Sequence, residues 1–196
     1  KAGKAPVIAI TGTNGKSTTT ALVGHILSAC GFDAQVGGNF GNSVLELAAP
    51  TAKTIYVLEM SSFQIDLAPG LKPDVSVLSN LSPDHIDRHG TMENYAAIKA
   101  RMLAGTNPSG HVVIGVDDGF SSAIFTRLQA SGGAAATPVS VGKVLGRGLF
   151  VVDGALYDAA SGRAVKVMEM ADAPHLPGRH NWQNAALAYG AVKPYV

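Results

Sequence analysis

Gly12-Thr13-Asn14-Gly15-Lys16-Ser17-Thr18 is the stretch whose residue types and spacing point most directly to chemistry. Glycines let backbone N–H groups approach an anion with no Cβ in the way. Lys16 follows the second glycine, placed to reach the β- and γ-phosphates of a nucleotide, and the Ser17 hydroxyl is placed to meet Mg²⁺. The general phosphate-loop pattern asks for glycine five positions before Gly15, where Ile10 stands, so this loop is a shorter Gly-x-x-Gly-Lys-Ser. The competing reading is a plain strand–turn–helix connection with an incidental lysine. The order of strand, loop, Lys-Ser and helix favours phosphate binding.

Three further features draw attention. Glu59 ends the apolar run Thr54–Glu59, where a parallel sheet places its ligands, and its carboxylate suits Mg²⁺. Asp84-His85-Ile86-Asp87-Arg88-His89 follows another buried run and gathers two acids, two histidines and an arginine. Spacing alone does not assign their roles. Lys99 has Tyr95, Ala96, Met102 and Leu103 at helical contact distances and no carboxylate among them. Two readings stay open for it: a lysine whose head snorkels to water, or one aimed into the site as a cation or, after its neutral amine reacts with CO₂, a metal-ligating carbamate.

These residues need a scaffold, and the patterning predicts an α/β fold. Strands are expected at Val7–Thr11, Asp33–Val36, Thr54–Glu59, Asp74–Ser79 and His111–Val116. Helices are expected at Ser17–Cys30, Asn42–Ala49, Thr91–Leu103, Phe120–Gln129 and Asn181–Lys193. From Pro138 to Met170 short β-type runs are broken by glycines, and Asp153-Gly154 marks a hairpin. The expected result is a mostly parallel sheet flanked by helices, with a small antiparallel appendage. Ala130–Thr137 reads as a mobile loop.

Composition excludes several classes. The chain has 196 residues, with Lys+Arg 15 against Asp+Glu 14 and a net charge of +1, so no globally basic nucleic-acid surface exists. One cysteine, Cys30, permits neither an internal disulfide nor a cysteine-built zinc cage, and is expected to pack. No apolar run approaches the length of a membrane span. The expected setting is the cytoplasm, with no membrane or nucleic-acid partner.

The motifs together resemble the central ATPase domain of the Mur ligase family. They are the phosphate loop, Gly38-Asn39-Phe40-Gly41, Glu59-Met60-Ser61-Ser62-Phe63-Gln64, the Asn80–Gly90 run, Tyr95-x-x-x-Lys99, and Leu176-Pro177-Gly178-Arg179-His180-Asn181-x-x-Asn184. Glu59-x-Ser-Ser-Phe-Gln and the Asp-His-Ile-Asp-Arg-His-Gly run resemble the branch that adds D-glutamate to UDP-MurNAc-L-alanine. The resemblance implies an ATP- and Mg²⁺-dependent amide ligase of peptidoglycan precursor synthesis, with a P-loop NTPase-like central domain. It implies that Gly12, Thr13, Asn14, Gly15, Lys16, Ser17 and Thr18 hold the phosphates, and that Ser17 and Glu59 hold one Mg²⁺. His85 and a carbamylated Lys99 would be tied to a second Mg²⁺. Lys16, His85 and Lys99 are thereby the implied catalytic groups. Asn39, Ser61 and Gln64 would line the muramoyl-alanine pocket, and Asn181 and Asn184 would approach the adenine.

By the same resemblance, residues 1–196 are the middle domain of a monomeric three-domain enzyme. The UDP-binding and amino-acid-binding domains, which would lie before Lys1 and after Val196, are absent from this chain, and it is expected to bind nucleotide without completing the ligation. Another Mur or folylpolyglutamate-synthase-like ligase, and a non-catalytic nucleotide-binding module, are the alternative readings.

Overall fold

Alternation along the first strand already sorts the two faces of the fold. Ile8 and Ile10 of β1 (Val7–Thr11) are fully buried in one apolar cluster, while Ala9 between them belongs to the other. The same period of two separates Val113 from Val112 and Ile114 in β5 (His111–Gly115). Strands that are apolar on both faces belong inside a layered α/β fold, and the computed structural model, which describes residues 4–196, has that form. Lys1, before which the UDP-binding domain is expected, lies outside the described residues.

The remaining elements follow in chain order: α1 (Lys16–Ala29), β2 (Asp33–Gly38), β3 (Thr54–Glu59), α2 (Ser62–Leu67), β4 (Val75–Leu78), α3 (Ile86–His89) and α4 (Met92–Ala104). After β5 come α5 (Gly119–Ser131), β6 (Ala135–Ser140), β7 (Leu149–Val152), β8 (Ala155–Asp158), β9 (Val165–Glu169) and α6 (Arg179–Val192). The nine strands among the described residues form one sheet in the order β2-β3-β1-β4-β5-β6-β7-β8-β9. Pairings from β2 through β7 are parallel, and β7–β8 and β8–β9 are antiparallel. The appendage is therefore a continuation of the main sheet, turned at Asp153-Gly154, both of which adopt positive φ (48° and 75°).

Helices cover both faces. Val23 and Leu27 of α1 and Ala186, Leu187 and Ala191 of α6 bury against one, and Ile65, Tyr95, Met102, Leu103 and Ile124 of α2, α4 and α5 against the other. Thr91 caps α4 by accepting from the Asn94 amide at 3.2 Å, and Asp118 caps α5 through the Ser121 amide at 2.8 Å.

Four expectations need correction. Asn42–Ala49 is not a helix: only a 3₁₀ turn forms, Val44–Glu46, held by a Ser43/Glu46 capping box. None of its residues is buried and Leu45 is 95% exposed, so no apolar face anchors further turns. Ala130–Thr137 is not a long loop. Helix α5 continues to Ser131, Gly132 ends it at φ 66°, and Ala135 already pairs with His111 of β5. Cys30 does not pack; it is exposed at the end of α1. Finally, α2 and α3 form where no helix was expected, each too short to carry a clear periodicity.

Candidate active site

In the sheet register Ile10 lies opposite Glu59 and Thr11 opposite Leu78. The segments that follow β1, β3 and β4 therefore leave the sheet side by side. They do so where the strand order turns around β1, the position at which open parallel sheets bind ligands.

The loop after β1 is clamped by the segment after β4. The Thr13 amide donates to the Asn80 carbonyl at 2.8 Å and the Asn14 amide to Asn80 Oδ1 at 3.0 Å. Ser79 Oγ donates to the Asn14 carbonyl at 2.6 Å. Gly12 and Gly15 adopt φ of 148° and 80°, which L side chains rarely take. A Cβ on Gly12 would sit 1.9 Å from Ser79 Oγ, and one on Gly15 2.2 Å from Asn184 Oδ1. Helix α1 then starts at Lys16 with no side-chain cap and no acid in its first turn, leaving its leading amides for an anion. Lys16 Nζ donates to the Thr13 carbonyl at 2.9 Å, and Thr18 follows within the first turn, half-buried.

Glu59 is 1% exposed, and its carboxylate accepts from Ser17 Oγ at 2.7 Å and from Asn39 Nδ2 at 2.8 Å. A buried carboxylate contacted only by neutral donors, one of them a hydroxyl at the start of the phosphate loop's helix, is the hard-oxygen set that Mg²⁺ takes. Glycines whose Cβ would crowd the cradle, and this carboxylate–hydroxyl pair, fit a Mg²⁺-nucleotide.

Lys99 is buried, not snorkelling. It is 1% exposed, and Nζ donates to Thr11 Oγ1 and to the Gly12 carbonyl, both at 3.0 Å. The amine also lies 4.8 Å from the centroid of the Tyr95 ring. Burial first, and then the charge of Lys16, push the amine down to about 7, against an opposing pull from Asp84 and Glu59. An appreciable neutral fraction at neutral pH is what reaction with CO₂ requires.

His85 stands apart from this arrangement. It is half exposed in a left-handed conformation (φ 51°), 3.5 Å from an Asp84 carboxylate oxygen and edge-on to Phe63. Lys99 Nζ and His85 share no hydrogen bond, and no group of three His, Cys, Asp or Glu is poised to hold a metal among the described residues.

The remaining expected residues are present but engaged. Ser61 and Gln64 form a capping box on α2, with the Ser61 amide donating to Gln64 Oε1 at 3.0 Å and the Gln64 amide to Ser61 Oγ at 3.2 Å. Asn39 secures Glu59. Asn184 Oδ1 accepts from Thr19 Oγ1 at 3.3 Å, Asn184 Nδ2 donates to Asn181 Oδ1 at 3.2 Å, and Asn181 Nδ2 donates to the Pro177 carbonyl at 2.9 Å. A cleft of about 590 Å³ flanks the start of α6, with Val141, Lys143, Arg179 and Trp182 among its walls.

Residue-type reasoning overlooked Thr11, and it gave no individual role to Tyr95, Ser62 or His89, although each stands in a motif named above. Tyr95 OH lies 3.2 Å from Thr13 Oγ1, and His89 Nε2 lies 2.9 Å from Ser62 Oγ. Tyr95 carried a usable signal, four positions before Lys99 on one helix face; the others depend on contacts between distant segments.

The model of the Mur ligase middle domain matches residues 10–192, nearly the whole chain. This chain belongs to the Mur ligase family. Its middle-domain sequence is 50% identical over 187 residues to the UDP-N-acetylmuramoylalanine--D-glutamate ligase of Caulobacter vibrioides. That alignment covers 95% of this chain and 40% of the relative. The ligase of the same name from Nitrobacter winogradskyi is 50% identical over 184 residues, covering 94% and 39%. The chain thus spans about two-fifths of the length of the curated relatives it matches. Solved Mur ligases share the fold. A UDP-N-acetylmuramoyl-L-alanyl-D-glutamate:2,6-diaminopimelate ligase superposes with a TM-score of 0.76 at 23% identity, covering 98% of this chain and 44% of that one. MurF from Acinetobacter baumannii gives a TM-score of 0.70 at 19% identity, covering 96% and 42%. The mostly parallel sheet flanked by helices is the Mur ligase middle-domain architecture.

Proposed function

We propose that this domain carries the ATP-binding and phosphoryl-transfer site of a ligase that adds D-glutamate to UDP-MurNAc-L-alanine. The observation that carries the reading is the meeting of the phosphate loop, the Ser17–Glu59 pair and the buried Lys99 at one sheet edge. The 50% identity to D-glutamate ligases supports the choice of substrate.

In this reading the alanyl carboxylate attacks the γ-phosphorus of ATP, giving an acyl phosphate and ADP. The D-glutamate amine then attacks the acyl carbon, phosphate departs, and the amide remains. The first step brings anions together, so it depends on positioning and on cations rather than on a side-chain nucleophile. Lys16 leaves the Thr13 carbonyl for the β- and γ-phosphates. The loop amides and the amides opening α1 receive phosphate oxygens, as do Thr13, Asn14 and Thr18 at its rim. Ser17 and Glu59 would hold Mg²⁺, whose charge would offset that of the phosphates, and Asn39 fixes the Glu59 carboxylate for that role.

Lys99 holds the loop from beneath as a cation. With its neutral amine bonded to CO₂ and a proton released, Lys99 would instead be a carbamate, whose oxygens with His85 would be the residues to hold a second Mg²⁺ and its positive charge. Ser61 and Gln64 present the start of α2 to the muramoyl-alanine end, and Asn181 and Asn184 approach the adenine. The intact enzyme adds a UDP-binding and an amino-acid-binding domain, and works as a cytoplasmic monomer.

The test has two parts. In the intact ligase, product formation from UDP-MurNAc-L-alanine is expected with D-glutamate and not with other amino acids; equal turnover with another amino acid rejects the substrate assignment. In this chain, Lys16→Ala is expected to abolish measurable ATP binding by calorimetry, and unchanged affinity rejects the site.

A further inference from the structure

His89 has no part in the scheme above, yet its surroundings are unusually specific. It is 8% exposed, and Nε2 meets the Ser62 hydroxyl at 2.9 Å, a buried pair that joins the end of α3 to the first turn of α2. The His89 carbonyl accepts from Asn94 Nδ2 at 3.1 Å, which ties the same residue to α4. Its ring packs beside two aromatic rings, with centroids 5.7 Å from Phe63 and 5.4 Å from Tyr95.

Tyr95 is the next link. It is 1% exposed, so its ring position is set by what packs behind it, and His89 packs there. In front, Tyr95 OH lies 3.2 Å from Thr13 Oγ1 of the phosphate loop, and the ring faces Lys99 Nζ at 4.8 Å. Thr13 Oγ1 in turn donates to the Ser82 carbonyl at 3.1 Å, which fixes the loop against the segment after β4. Burial first, and then the nearby charge of Arg88, lower the proton affinity of the imidazole, which favours the neutral ring beside Lys99.

We infer that His89 is a positioning residue for the phosphate loop: pinned by Ser62, its ring backs Tyr95, and Tyr95 holds Thr13 and the Lys99 amine in place. The inference rests on the ATP-binding reading proposed above. It makes the opening of α2, on the expected muramoyl-alanine side, mechanically continuous with the loop that grips the phosphates. Packing alone would give His89 a different signature, a loss of stability with the loop unaltered.

The experiment uses this chain and four variants. His89→Phe keeps an aromatic ring and removes the nitrogen that meets Ser62; Ser62→Ala removes the other half of the pair. His89→Gln keeps a nitrogen near the Nε2 position, and the double variant His89→Phe/Ser62→Ala tests whether the two act together. Two readouts are taken: ATP affinity by calorimetry, and the backbone amide NMR signals of Gly12, Thr13 and Asn14 without nucleotide.

His89→Phe and Ser62→Ala are each expected to weaken ATP binding about tenfold and to shift those amide signals. The double variant should be no worse than either single one, and His89→Gln should recover part of the affinity. Unchanged affinity and unchanged loop signals in both single variants, with only a lower unfolding temperature, overturn the inference. Lys16→Ala serves as the control. If it leaves ATP affinity unchanged, the nucleotide-binding reading has failed, and the loop amide signals still decide the role of His89.

Discussion

Lys99 Nζ donates to the Gly12 carbonyl at 3.0 Å, so a lysine of α4 supports the phosphate loop from below. The loop thereby has cations on two sides, Lys16 within it and Lys99 beneath it, and after burial the charge of Lys16 lowers the proton affinity of Lys99.

The buried amine of Lys99 makes stability depend on pH. Its folded value of about 7 lies below the ordinary 10.5, so above pH 7 the unfolded chain binds more protons at this position than the folded one. Stability from Lys99 is therefore expected to rise between about pH 7 and 10.5, and to carry its full penalty below pH 7. Urea unfolding of wild type and Lys99→Met across that window should show the wild type gaining on the variant as pH rises. Parallel curves would count against a depressed amine.

Glu59→Gln preserves the size of the side chain and lets its Oε1 still accept from Asn39 while its amide donates to Ser17 Oγ, and it removes the charge. Metal-free nucleotide binding is expected to survive, and the strengthening of binding by Mg²⁺ to fall about tenfold, the loss of one charged contact. Titrating ATP with and without Mg²⁺ measures both.

Gly15→Ala forces a Cβ onto a residue at φ 80° and against Asn184 Oδ1. The strained backbone is expected to cost about 1–2 kcal/mol of stability. ATP affinity should fall further than stability does, because the distortion lies in the loop itself. Thermal unfolding and calorimetry separate the two, and a variant of normal affinity would refute the tight fit.

Leu27 is fully buried in the cluster that joins α1 and α6 to the sheet. Leu27→Ala is expected to destabilise the domain by about 2–5 kcal/mol, the usual range for a buried leucine. Denaturant unfolding gives the value.

Parallel α/β architecture was legible because it is written in contiguous patterns. The short apolar run of Val7–Thr11 and the Gly-x-x-Gly-Lys-Ser run are local, and a strand followed by a glycine turn and a helix needs no distant partner to be recognised. Glu59 was legible for the same reason, standing at the end of a buried strand. Asn42–Ala49 and Ala130–Thr137 were misread because their local preferences conflict with what lies beside them. Leu45 finds no surface to cover, and Ala135 finds an open edge on β5.

Residue order alone determined the strands of the parallel core from β1 to β5, the phosphate loop and which acid stands beside it. Tertiary structure alone decided where Lys99 points, that Asn39 grips Glu59, and that His89 meets Ser62. Lys99 and Thr11 are 88 residues apart, and His89 and Ser62 are 27 apart. Helical periodicity places Lys99 among apolar neighbours, but only the packing of α4 over the sheet at β4 turns that face toward a buried hydroxyl and a loop carbonyl instead of toward water. A desolvated amine held by two oxygens is a property of that packing, because neither oxygen lies within reach along the chain.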